Sequence, residues 1–131
     1  QKDMTDEIAK LFKHPDKAIR LNSVVCLLRR DKQKLGNIYK DVFDNDTDSQ
    51  VRMNAGRYFE YNDEVVAQMI PYFVDKLKDD GIKYEAARIL ETYLYDGIEG
   101  LEDRRKIVKA EIEKQKIDLV GERFDYLRSK L

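Results

Sequence analysis

Three kinds of side chain in this sequence have the chemistry for a specific site: a run of carboxylates, a single histidine and a single cysteine. The carboxylates lie in the stretch DNDTDS, where Asp44, Asp46 and Asp48 alternate like the first ligands of a calcium loop. Such a loop wants glycine at its sixth position and glutamate at its twelfth, and here those places hold Ser49 and Ala55. The spacing therefore predicts a turn and a negatively charged helix start, with no metal bound. His14 stands beside Pro15 with no second histidine to share an ion, and is expected to be a surface turn residue. Cys26 has no partner for an internal disulfide and falls on the apolar side of its pattern, which predicts a buried, reduced thiol. No GxSxG, GxxxxGK, HExxH or paired-cysteine motif occurs, and capping roles account for the acidic turns. The expectation is a chain with no catalytic residue, no cofactor and no metal.

The elements that would position any site repeat along the chain. The stretch DSQVRMNAGRYFEY, from Asp48 to Tyr61, has a counterpart 32 residues upstream (DKAIRLNSVVCLLR, from Asp16) and another 31 residues downstream (DDGIKYEAARILET, from Asp79). Aligned, they give the columns Ile19, Val51, Ile82; Arg20, Arg52, Lys83; Asn22, Asn54, Glu85; Ser23, Ala55, Ala86; and Leu27, Phe59, Leu90. Helix pairs repeating at such a period bury their apolar faces against their neighbours, as in a solenoid.

Within each repeat the apolar residues follow helical spacing. Thr5 is expected to cap a first helix carrying Ile8, Leu11 and Phe12, stopped by His14-Pro15. A second helix runs from Pro15-Asp16 to about Arg30, and a third is carried by Leu35, Ile38, Tyr39, Val42 and Phe43. The fourth is the reference stretch. The fifth holds the longest apolar stripe, from Val65 to Leu77, with Pro71 inside it, and the sixth covers Ile82 to Tyr95. Asp96 to Gly100 breaks the pattern with two glycines. Beyond it, Ile117, Val120, Phe124, Leu127 and Leu131 are spaced as one amphipathic seam, weakened at Gly121, which marks a break between two shorter helices.

Composition agrees with a helical protein. Of 131 residues, 39% are charged and 42% hydrophobic, with 2 Pro and 6 Gly, so strands are not expected. The 25 Lys and Arg against 26 Asp and Glu leave a net charge of −1, which gives no global attraction to nucleic acid or an anionic membrane. No apolar run approaches the roughly 20 residues that span a bilayer, and QKDMTDEI has no signal-peptide core. A cytoplasmic protein is expected.

The repeated core D-x(2,3)-[IV]-[RK]-x-x-[AS]-x(3)-[LF] resembles the HEAT-repeat family, over about Asp6 to Tyr95. The resemblance implies an all-α fold, a right-handed α-α superhelix. Its single domain, 1–131, would hold hairpins at about 5–31, 34–61 and 63–95 and a C-terminal helical cap at 101–131. It also implies a ladder linking adjacent repeats, with Asp16 set against Arg20, Asp48 against Arg52, and Asp79 or Asp80 against Lys83. Lysine lacks the planar fork that holds a carboxylate at two points, so the third rung is expected to be the loosest. In such stacks the second helices line the concave face. The exposed positions there would be Asn22, Val25 and Arg29, then Asn54, Arg57 and Tyr61, then Glu85, Arg88 and Thr92. Arg57 and Arg88, one period apart, would form with Arg29 and Tyr61 a ridge for a carboxylate, a phosphate or a peptide acid, with Glu60, Glu85 and Glu91 near enough to neutralise it. The resemblance favours a non-catalytic scaffold binding a protein or peptide. One alternative is a phosphate-backbone binder whose affinity would fall steeply with salt. The other is an enzyme like the HEAT-like pigment lyases or DNA glycosylases.

Overall fold

A computed structural model describes residues 4–30, 33–61 and 63–131, with the backbone alone at positions 33, 34, 61 and 63. All regular structure among these residues is helical, without a strand. No described helix is long and apolar enough to cross a membrane. The helices gather into two units, Gln1–Tyr61 and Asn62–Leu131.

In the first unit, α1 (Thr5–Lys10) tightens into a 3-10 turn, Leu11–Lys13. The extended backbone of His14 and the turn at Pro15 lead into α2 (Lys17–Cys26). Asp16 caps α2, its carboxylate accepting from the amide of Ala18 at 2.8 Å, which satisfies one of the amides left over at a helix start. Helix α3 (Gln33–Asn45) packs on α4 (Ser49–Gly56), and α4 packs on α2. Asp48 caps α4 through the amide of Val51 at 3.1 Å, and a second 3-10 segment, Arg57–Tyr61, follows. Phe12, Val24, Leu27, Tyr39, Phe43, Val51 and Phe59 are buried, each contributing on the order of 1.5–3 kcal/mol by leaving water. Tyr39 ties the two hairpins together. Its ring lies 5.1 Å from Phe12 and stacks on Tyr58 at 4.3 Å, and its hydroxyl donates to the carbonyl of Val24 at 2.7 Å. Burial pushes its phenol far above the ordinary range.

In the second unit, α5 (Asp63–Lys76) carries Pro71 inside it and packs on both α6 (Lys83–Tyr93) and α7 (Leu101–Gln115). A 3-10 turn, Glu122–Phe124, and α8 (Asp125–Ser129) lie against α6. The last two helices thus cover the α5/α6 pair much as a following hairpin would. Tyr84 of α6 anchors the 3-10 turn: the Arg123 guanidinium stacks 3.7 Å from its ring centre, and Phe124 lies 5.3 Å away. Ala86 and Ala87 are wholly buried, where any larger side chain would push helices apart.

Several expectations need correction. Thr5 is a buried first helical residue, and Met4 before it makes no side-chain cap. The second helix stops at Cys26, four residues short of Arg30, and gives way to a turn over 27–29 in which Leu27 and Leu28 are buried. Cys26 is exposed rather than buried, since it lies one helical turn from exposed Asn22 and opposite buried Val24. The sixth helix ends at Tyr93. No single amphipathic helix forms the C-terminal seam: α7 ends where Lys116 turns left-handed at φ 57°, and 117–120 is irregular. Gly121 has φ 109°, a conformation that favours glycine, so it is a break, as its residue type suggested.

Candidate functional site

The turns entering α2 and α4 carry a dense polar network. Arg20 donates to Asp46 from Nε at 2.9 Å and Nη2 at 3.3 Å, and from Nη1 to the carbonyls of His14 and Pro15 at 3.0 and 3.1 Å. The pair is nearly dry, with side chains 14% and 5% exposed. Asp46 Oδ1 also accepts from the amide of Asp48 at 2.9 Å, and the Asp46 carbonyl accepts from Arg52 Nη1 at 2.9 Å. The carboxylate facing Arg20 is therefore that of Asp46 and not that of Asp16, which is held at its own helix start. Lys17 bridges to Asp48 at 3.5 Å, from the first hairpin to the second. The Val51 amide, then Lys17, hold the Asp48 carboxyl below its ordinary value. In the second unit Asp79 accepts from the amide of Gly81 at 2.8 Å, leaving Asp80 to meet Lys83 at 3.1 Å, a contact on an almost fully exposed carboxylate.

A hollow of about 250 Å³ lies beside this network, bounded by Phe12, His14, Val42 and Thr47. Its charges are engaged: Arg20 with Asp46, and Lys13 with Asp41, whose carboxyl is held low by that lysine and by Asn45. The Nδ1 of His14 accepts from the Asp16 amide at 3.0 Å, a turn role. Asp46 and Asp48 spend their carboxylates on protein groups, and no group of three or more metal-ligating side chains occurs among the described residues.

The candidate binding positions are spread over α2, α4, α6 and the turns that follow the first two. In the first unit Asn22 and Val25 are exposed on α2, and Arg29 is exposed in the turn after it rather than on the helix. On α4, Asn54 is half-buried and donates from Nδ2 to the carbonyl of Gln50 at 2.9 Å. Arg57 follows in the 3-10 segment and bonds Glu60 at 3.1 Å. The side chain of Tyr61 lies outside the described residues. In the second unit Glu85 is half-buried, and Arg88 bonds Glu91 at 3.0 and 3.4 Å. Glu91 itself is 9% exposed, and burial pushes its carboxyl above the ordinary range against the pull of Arg88. Both arginines are 44% exposed and both carry a glutamate three residues on.

The sequence did not point to the role of Asp46. Its one signal was a second acid two residues before the capping Asp48, the spacing of an Asx turn. Nor did spacing point to the Arg123–Tyr84 stack, which joins residues 39 positions apart. Comparisons with family models, curated proteins and solved structures give no match to this chain.

Proposed function

We propose that this chain is a non-catalytic module that holds a protein or peptide along the exposed side of its second helices, within a short right-handed superhelix of HEAT-like hairpins. One observation carries this reading: an Arg-x-x-Glu pair presented twice at the same register position, Arg57–Glu60 and Arg88–Glu91, half-exposed each time. Repeated polar positions suit an extended ligand that meets several repeats. Because each arginine already has an acid, the face suits a peptide carrying both signs of charge better than a purely acidic one. Support for the stacked arrangement comes from within each unit, where α2 packs on α4, and the last 3-10 turn and α8 pack on α6.

The test is selection of a displayed random-peptide library on the folded chain, followed by affinity measurements on the double variant Arg57→Ala, Arg88→Ala. The selected peptides should bind the variant at least tenfold more weakly, with the melting temperature nearly unchanged. Peptides that bind both proteins equally, or a selection that yields none, would overturn the reading.

A further inference from the structure

The hollow beside the Arg20–Asp46 pair has room for more than water. Phe12 and Val42, both buried, form its base, and exposed Pro15 completes an apolar wall. Its volume, about 250 Å³, exceeds the ~150 Å³ of an apolar protein cavity that takes up one benzene. One six-membered ring with a small substituent is the size that fits.

The charges around the hollow decide the sign of its occupant. Arg20 spends four of its five N–H groups, two on Asp46 and two on the carbonyls of His14 and Pro15. Lys13 is paired with Asp41. An anion would have to draw Arg20 away from Asp46, and a cation would have to draw Asp46 away from Arg20. Either would break a pair that is nearly dry, at the cost of a charge left without its partner. The hollow therefore suits a neutral molecule.

Three polar atoms of the lining residues make no hydrogen bond among the described residues: His14 Nε2, Asn45 Oδ1 and the Thr47 hydroxyl. Because His14 Nδ1 accepts from the Asp16 amide, the ring proton sits on Nε2, which is a donor. Asn45 gives its Nδ2 to Asp41 and keeps Oδ1 as an acceptor. Water filling the hollow, about eight molecules at ~30 Å³ each, finds few protein partners, and displacing loosely held water with an apolar ring is favourable.

We propose that this hollow binds a neutral aromatic small molecule bearing one amide group, the ring against Phe12, Pro15 and Val42. The amide carbonyl accepts from His14 Nε2, and the amide N–H groups meet Asn45 Oδ1 and the Thr47 hydroxyl. The site lies wholly within the first unit and does not depend on the peptide-binding reading.

The experiment is a titration of the whole chain with benzamide, followed by amide and histidine-ring NMR shifts, with benzoate and benzylammonium as charged counterparts of similar size. Benzamide should shift Phe12, His14, Val42 and Thr47 saturably, with a dissociation constant of about 1–10 mM, as a ligand of about nine heavy atoms allows. Both charged probes should bind about tenfold more weakly. Thr47→Val, at an exposed position, should keep the wild-type circular dichroism and weaken benzamide about fivefold, the effect of one lost hydrogen bond. Should that variant fail to fold, Thr47→Ala takes its place. No saturable shift by about 50 mM benzamide, shifts centred away from the hollow, a charged probe that binds as tightly, or a Thr47 variant that binds benzamide unchanged overturns the proposal.

Discussion

Replacing Asp46 with Ala should be among the most damaging single changes in the first unit. The change strips a charged partner from Arg20, whose side chain is only 14% exposed, and removes the acceptor for the Asp48 amide. Hydrogen bonds to charged groups contribute about 1.5–3 kcal/mol, and leaving a buried charge without its partner costs about 3–5 kcal/mol. Arg20 keeps two carbonyl acceptors, at His14 and Pro15, which places the expected loss at the lower end, about 3 kcal/mol. For a chain of 131 residues melting as one unit, that lowers the melting temperature by about 10 °C. Urea unfolding followed by circular dichroism measures it, alongside Arg20→Ala and the double variant. The double variant should be little worse than either single one, giving a coupling energy of about 2 kcal/mol. A loss under about 1 kcal/mol for Asp46→Ala, the value for an exposed pair, would refute the inference that the rung is dry and structural.

Two further outcomes are expected. Ala55 is wholly buried on α4, so Ala55→Leu should lose about 1–3 kcal/mol in the same unfolding experiment, and a neutral result would contradict the close helix contact there. Glu91 has a folded-state value raised by burial, so its contribution to stability is fully present below its ordinary value of 4.5 and is lost as pH rises through the raised value. Glu91→Gln should therefore match or exceed the wild type in stability at pH 7, the gap closing below pH 4.5. A clear loss at pH 7 would mean that the bond to Arg88 outweighs burial.

Helix number and order were readable through Tyr95 because the apolar residues recur at helical spacing and Asp16 and Asp48 are strong helix-start residues. Helix ends were less readable. Leu27 and Leu28 follow Val24 at the spacing of a continuing helix, yet they lie in the turn that ends α2, and both are buried there. The seam from Ile117 to Leu131 has helical spacing, but the left-handed Lys116 and Gly121 interrupt it. At the candidate site, Glu60, Glu85 and Glu91 were legible as acids near the arginines, and the structure bonds Glu60 to Arg57 and Glu91 to Arg88, each three residues on. The Arg20–Asp46 bond spans 26 residues, and nothing in the spacing of either residue names the other.

Asp46 also bears on how the first unit comes apart. Repeat proteins lose structure from their ends, one hairpin at a time, when the links between neighbours are weak. Here one residue grips the guanidinium of α2 with its side chain and the guanidinium of α4 with its carbonyl. The first hairpin should therefore not fray by itself, and the amides of α2 and α4 should exchange with solvent in a single shared opening.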